Sequence, residues 1–171
     1  MPTSKAGSSI MDLHVVLFEP EIPQNTGNIA RTCAAVGASL HLVEPLGFST
    51  EDRYLKRAGL DYWSLLETKQ YASIDEYFTE YASRQWIFAT KSSPNSYSEI
   101  VYHKTCSIIM GNESSGLPPD LLNAHLEKSV RIPMKKGIRS LNLSNATALI
   151  VYEALRQNGF PGLQIGGDVS K

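Results

Sequence analysis

The sequence predicts a single α/β domain with a mostly parallel sheet and helices on both faces. Short runs rich in valine and isoleucine alternate with capped helical segments along the whole chain, the pattern of β–α–β units. Most of those runs are continuously apolar, as strands covered on both faces require. Three polar junctions rich in Gly, Asn and Ser lead into helices: Asn25-Thr26-Gly27-Asn28, Gly111 through Gly116, and Ser140 through Asn145. In α/β proteins such junctions sit at the carboxyl ends of strands and bind nucleotide-like ligands. Three of them in one domain predict a single composite site.

Residues 1–10, serine-rich and small, read as a disordered leader, with Met11 an alternative start because a strand follows directly. His14 to Phe18 is that strand, and Pro20 and Pro23 end it by removing ladder donors. Asn25 or Thr26 then caps a helix to Val36, with Gly37 as its stop. Leu40 to Val43 is a second strand, closed by Glu44-Pro45. Ser49 opens a helix with Glu51 and Asp52 in its first turn; it carries Arg53, Lys56 and Arg57 and ends at Gly59. Ser73 caps a further helix to about Ser83. Trp86 to Ala89 is a strand followed by a polar loop from Thr90 to about Ser98. Cys106 to Met110 is the most apolar strand, and Pro118 suits the start of a short helix through Leu122. Ser129 to Ile132 is the last strand, before a closing helix from Leu143 to Asn158. The domain spans 11–162, and a glycine-rich stretch, 163–171, reads as a flexible tail.

A chain of 171 residues with a formal charge of −1 is large enough for a real core and lacks the bulk charge of a general polyanion binder. Local clusters remain available: Arg53, Lys56 and Arg57, and then Lys135, Lys136 and Arg139. The two cysteines and four histidines show no ligand spacing, so no metal site is expected. No stretch reaches the length of a membrane span and no apolar signal core opens the chain, so a cytosolic protein without membrane contact is expected.

The glycines of the 111–116 junction either bring backbone N–H groups close to a ligand or only relieve a tight turn. The junction matches neither a P-loop nor a dinucleotide fingerprint. Helical spacing brings Gly27, Asn28 and Arg31 toward one side of the first helix. An arginine so near a helix N-terminus gains nothing from the dipole; it is either a plain surface residue or the receptor of an anionic group. Asn142, Ser144 and Asn145 exceed what one helix cap requires, and Glu113 is the one acid in a junction. With Asn25, Asn28, Arg139 and Tyr152 they form the candidate substrate-binding set.

Taken together these segments resemble the SPOUT class of RNA methyltransferases, of the TrmL (YibK) type. The resemblance is carried by Glu19 through Arg31, Leu42 through Phe48, Arg57 through Tyr62, Gly111 through Pro118, and Ile132 through Asn145. It implies a C-terminal trefoil knot, which general topology rules would discard. It also implies a homodimer, S-adenosylmethionine as cofactor, and 2′-O-methylation of the wobble nucleotide, position 34, cytidine or modified uridine, of leucine tRNAs, bound at the anticodon stem-loop. By residue it places cofactor contacts on Thr90, Gly111, Ile132, Ser140 and Leu141, and the catalytic role on Arg31. Asn112 departs from the proline often found there in close TrmL relatives. The alternatives are therefore another tRNA or rRNA nucleotide as target, or a non-catalytic RNA- or cofactor-binding protein of the same fold.

Overall fold

A computed structural model describes residues 10–51, 53, 55, 57 and 62–167 of the chain. Six strands are found among them: β1 (Asp12–Phe18), β2 (Ser39–Val43), β3 (Thr68–Tyr71), β4 (Gln85–Ala89), β5 (Thr105–Met110) and β6 (Ser129–Val130). They form one sheet in the order β3-β2-β1-β5-β4-β6, and every pairing is parallel. Among the described residues four α-helices have defined bounds: α1 (Pro23–Val36), α2 (Ile74–Glu80) and α3 (Pro119–Ala124) between strands, and α4 (Leu143–Gln157) after the last one.

The two-residue period of the strands divides the core. Leu13, Val15, Leu17, Ile108 and Met110 face α1 and α4, where Ile29 and Ile150 meet them. Val16, Val43, Phe88 and Ile109 face the opposite side and pack with Tyr77 of α2 and with Leu117. Both faces are therefore covered, which is why the central runs are apolar without alternation.

Several elements depart from expectation. β3, Thr-Lys-Gln-Tyr, is an unexpected strand; three of its residues are exposed at the sheet edge, so no apolar period announces it. β6 ends at Val130 rather than Ile132, because Arg131 leaves the ladder to pair with Ser96 and only Ser129 and Val130 lie against β4. Helix α2 stops at Glu80, with Tyr81 at its C-cap, instead of reaching Ser83. Helix α1 starts at Pro23, ahead of the expected caps, with Ile22 in the cap position and no side-chain cap of its own. Proline fits the first helical position because its fixed φ is helical and it lacks an N–H to satisfy. Of the helix expected from Ser49 to Gly59, Arg53, Leu55 and Arg57 are helical, as are Tyr62 and Trp63 beyond it. The expected leader at 1–9, Lys56, Gly59 and the last four residues lie outside the described residues.

The α2 side of the sheet carries a buried polar cluster. The rings of His14 (β1) and His41 (β2) stack with centroids 4.1 Å apart. His14 Nδ1 lies 3.0 Å from the Tyr77 hydroxyl and His41 Nδ1 lies 2.9 Å from that of Tyr71. The Tyr77 hydroxyl is 2.6 Å from Ser107 Oγ, which accepts from Arg84 Nε at 3.0 Å. Arg84 is buried and also donates to the Asp12 carboxylate at 2.5 Å and to the Cys106 carbonyl at 2.8 Å. A guanidinium so enclosed is tolerable because a carboxylate, a hydroxyl and carbonyls receive its donors.

Burial, with the Arg84 charge adding to it, lowers the His14 pKa to about 4; burial, with His14 beside it, lowers that of His41 to about 3. In the unfolded chain both rings titrate near 6.5. Between those values the unfolded chain binds protons that the fold refuses, so stability falls as pH drops below about 6.5. Above that value neither histidine contributes. By about pH 4 the penalty from His14 alone is on the order of 3 kcal/mol. Urea unfolding midpoints are therefore expected to fall steeply from about pH 6.5 to about pH 4.5. His41→Gln, which removes one of the two titrating rings, should flatten that slope; an unchanged slope would contradict the assignment.

Candidate active site at the carboxyl ends of the strands

The strands are all parallel and β1 lies beside β5, so the loops that follow them meet at one end of the sheet. The link is a carboxylate. Glu113, in the loop after β5, accepts from the backbone N–H of Glu21 at 2.8 Å and of Ile22 at 3.1 Å, and from Asn25 Nδ2 at 3.1 Å. These backbone groups lie at the entry of α1, so an acid about ninety residues away in sequence does the work of the missing cap and complements the helix dipole. The exchange is reciprocal: Glu21 accepts from Ser114 N–H at 3.0 Å and from Ser114 Oγ at 2.6 Å. Asn25 also accepts, through Oδ1, from Asn142 Nδ2 at 3.0 Å. Asn142 in turn is the N-cap of α4, its Oδ1 taking the N–H groups of Ser144 at 2.9 Å and Asn145 at 3.3 Å. Glu113, Asn25 and Asn142 thus tie the three junctions into one body.

Gly111 is required by the loop itself. A Cβ there would lie 2.2 Å from the Gly116 carbonyl carbon and 2.3 Å from Leu117 N. The turn closes through Gly116 N–H to the Asn112 carbonyl at 3.1 Å, with Gly116 at φ +72, a conformation that costs glycine nothing. Asn112 fastens the inside of the turn, its Oδ1 accepting from Ser115 N–H at 2.8 Å and Oγ at 2.9 Å.

Beside this body a pocket opens between the carboxyl ends of β4, β5 and β6 and the start of α4. Thr90, Ile132, Ser140 and Leu141, four of the five expected cofactor contacts, line it, and so does Met110, immediately before Gly111. Val130 and Ile150 belong to the same lining. An apolar slot bordered by two hydroxyls suits a flat purine nucleoside. Lys91 and Arg131 also border it, cations that sequence reasoning passed over because neither falls in a junction.

Of the expected trio on α1, Asn28 and Arg31 are exposed, whereas Gly27 is buried against the core. The Arg31 guanidinium carbon lies 5.1 Å from the centre of the Tyr62 ring. Lys135, Lys136 and Arg139 are exposed on the loop that leads into α4. Ser144 and Asn145 lie in the first turn of α4, and Tyr152 two turns on, where it borders a second hollow with Asn145, Leu149 and Phe160. Arg53 and Arg57 are exposed, on the far side of β2 in sequence. Among the described residues no His, Cys, Asp and Glu cluster suits a metal ion, and no helix is long and apolar enough to cross a membrane. Burial pushes both thiols, Cys33 and Cys106, up to about 12, which leaves no reactive thiolate at neutral pH.

The chain is similar to known RNA methyltransferases. A protein of Listeria innocua, provisionally named tRNA (cytidine(34)-2′-O)-methyltransferase, is 50% identical over 90% of this chain and 92% of its own. The tRNA (cytidine(34)-2′-O)-methyltransferase of Escherichia coli is 45% identical over 88% of this chain and 96% of its own. A structure solved in a study of 2′-hydroxyl methylation of C/U34 on tRNA superimposes with a TM-score of 0.82 at 40% identity, covering 86% of this chain and 96% of that one. An AdoMet-bound rRNA methyltransferase from Sinorhizobium meliloti superimposes with a TM-score of 0.77 at 27% identity, over 87% of this chain and 57% of that one. The SpoU rRNA methylase model matches residues 12–152, the stretch that holds all six strands and every junction of the site, and the chain belongs to that family.

Proposed function

We propose that this protein methylates the ribose 2′-hydroxyl of the wobble nucleotide of tRNA, cytidine or modified uridine at position 34 of leucine tRNAs, with S-adenosylmethionine as methyl donor. The observation that carries the reading is the placement of Arg31. Its guanidinium is exposed on a helix whose entry is hydrogen-bonded, through Asn25 and Asn142, to the loop that lines the pocket. The names of the relatives support the nucleotide and the atom methylated, and the AdoMet-bound neighbour supports the donor.

The pocket residues fit such a donor: Val130, Ile132 and Leu141 offer apolar surface for an adenine ring, and Thr90 and Ser140 offer hydroxyls at the rim. When bound, the cofactor would supply an activated sulfonium methyl as the electrophile for the ribose oxygen. The chain's own task is to position the hydroxyl and to stabilise negative charge on its oxygen. Arg31 does both, anchoring a neighbouring phosphate and donating to the developing alkoxide. A guanidinium stays protonated in proteins, so Arg31 acts as donor and not as base. Glu113, Asn25 and Asn142 act by holding the three loops in register, Asn25 donating to Glu113 and accepting from Asn142. Lys135, Lys136 and Arg139, with Arg53, Lys56 and Arg57, are the proposed phosphate contacts around the anticodon stem-loop.

The same reading includes a homodimer, supported by Leu149 and Tyr152, which are 44% and 46% exposed on the outer face of α4. It includes the trefoil knot, supported by the chain's return from the edge strand β6 to pack α4 on α1 and β5 in the middle of the sheet. It includes a cytoplasmic location, which a tRNA substrate supports.

Transfer of labelled methyl to tRNA unmodified at the wobble ribose, mapped by mass spectrometry, tests the reading. Wild-type protein should yield 2′-O-methyl at position 34, and Arg31→Ala should lower kcat by roughly a hundredfold or more. Arg31→Lys, which keeps charge but loses the planar fork, should lose about tenfold or more. Transfer to rRNA instead would move the target; cofactor binding without transfer to either RNA would overturn the catalytic reading. Binding of tRNA should weaken steeply with salt, and replacing Lys135, Lys136 and Arg139 together by Ala should reduce the slope of log K against log salt by about 2 to 3. A flat salt response would remove these contacts from the proposal.

A further inference from the structure

The geometry points to Tyr62 as a positioning residue for Arg31: its ring holds the guanidinium in a fixed plane while leaving the N–H groups open to the RNA. This inference rests on the reading of Arg31 given above. Three observations carry it. The guanidinium carbon of Arg31 sits 5.1 Å from the Tyr62 ring centre, within the range at which a cation is attracted to an aromatic face. Among the described residues no carboxylate pairs with Arg31 and no acceptor takes its N–H groups. Tyr62 is itself anchored: its carbonyl accepts from Leu65 N–H at 3.0 Å, and the next residue, Trp63, packs against the core.

Among the described residues two other cations lie near tyrosine rings. Lys69 lies 5.2 Å from the Tyr71 ring centre and Arg84 lies 5.9 Å from that of Tyr81. Both are engaged by carboxylates, Lys69 by Glu80 at 2.6 Å and Arg84 by Asp12 at 2.5 Å. Among the described residues Arg31 alone of these three has a ring and no acid. A carboxylate would orient the guanidinium as firmly, but it would neutralise the charge and occupy the donors in bidentate fashion. A ring does neither. The hydrogens of a guanidinium lie in its plane, so a partner on the face restrains the side chain and leaves its edges for phosphate and alkoxide oxygens. An exposed arginine without such restraint samples many rotamers, most of them unproductive.

Tyr62→Leu should lower kcat for RNA methylation by about three- to thirty-fold, with a smaller change in KM for RNA, unchanged affinity for S-adenosylhomocysteine and an unchanged melting temperature. Tyr62→Phe keeps the ring and should restore near-wild-type kcat, since the hydroxyl has no part in the restraint. In an Arg31→Lys background the Tyr62→Leu loss should shrink to under about twofold, because an ammonium has no plane to stack. Wild-type kcat in Tyr62→Leu, an equal loss in Tyr62→Phe, or an undiminished loss in the Arg31→Lys background would each overturn the inference. Arg31→Ala in the same assay separates the two levels. If it is inactive while Tyr62→Leu is unimpaired, only the role of Tyr62 fails; if it is active, the reading of Arg31 fails and takes this inference with it.

Discussion

The candidate site depends on the Glu113 carboxylate. One acid gathers two backbone N–H groups at the entry of α1 and the amide of Asn25, and through Asn25 it reaches the cap of α4. Each of these groups would be costly to leave unpaired in a half-buried place. The loops are irregular and have no ladder to align them, so this network fixes their mutual position. Glu113→Gln would turn one acceptor oxygen into a donor facing at least one N–H group, so the arrangement suits the ionised acid.

The two faces of the sheet divide the labour. The α1 and α4 face is almost wholly apolar and carries the helices that bear the site. The α2 face embeds histidines, tyrosines and a buried arginine at the amino-terminal halves of β1, β2 and β5, where the ligand loops do not reach. The candidate site at one end of the strands is thus set apart from the titrating cluster near the other. The strand bodies between them, Val15 to Leu17 and Ile108 to Met110, are buried.

The parallel sheet was legible because buried strands and capped helices write themselves locally. Cys106 to Met110 and the Ser73 cap needed no tertiary information. What escaped was written non-locally or in polar residues. The α1 start could not be placed because its stabilising carboxylate comes from Glu113, far along the chain. β3 is polar because it is an edge strand, and β6 is cut short because Arg131 finds Ser96 instead of β4. The candidate residues of the three junctions were legible one by one, as excess polarity around helix starts. Their pairing, Glu113 with Asn25 and Asn25 with Asn142, was not, since no spacing rule relates positions about ninety and about one hundred and twenty residues apart. Tyr62 lay in a segment that matched the family pattern, yet only the folded chain sets its ring over Arg31.

The two strands that bound the sheet leave little backbone for another chain to build on. An unpaired strand edge is a template on which another chain can add, and long apolar edges invite uncontrolled association. Here one border is β3, four residues long with a lysine in it, and the other is β6, with two residues. Neither offers an apolar run of backbone long enough to zip onto a neighbour. Edge-to-edge addition of further chains is thereby disfavoured, and the sheet ends where its own strands end.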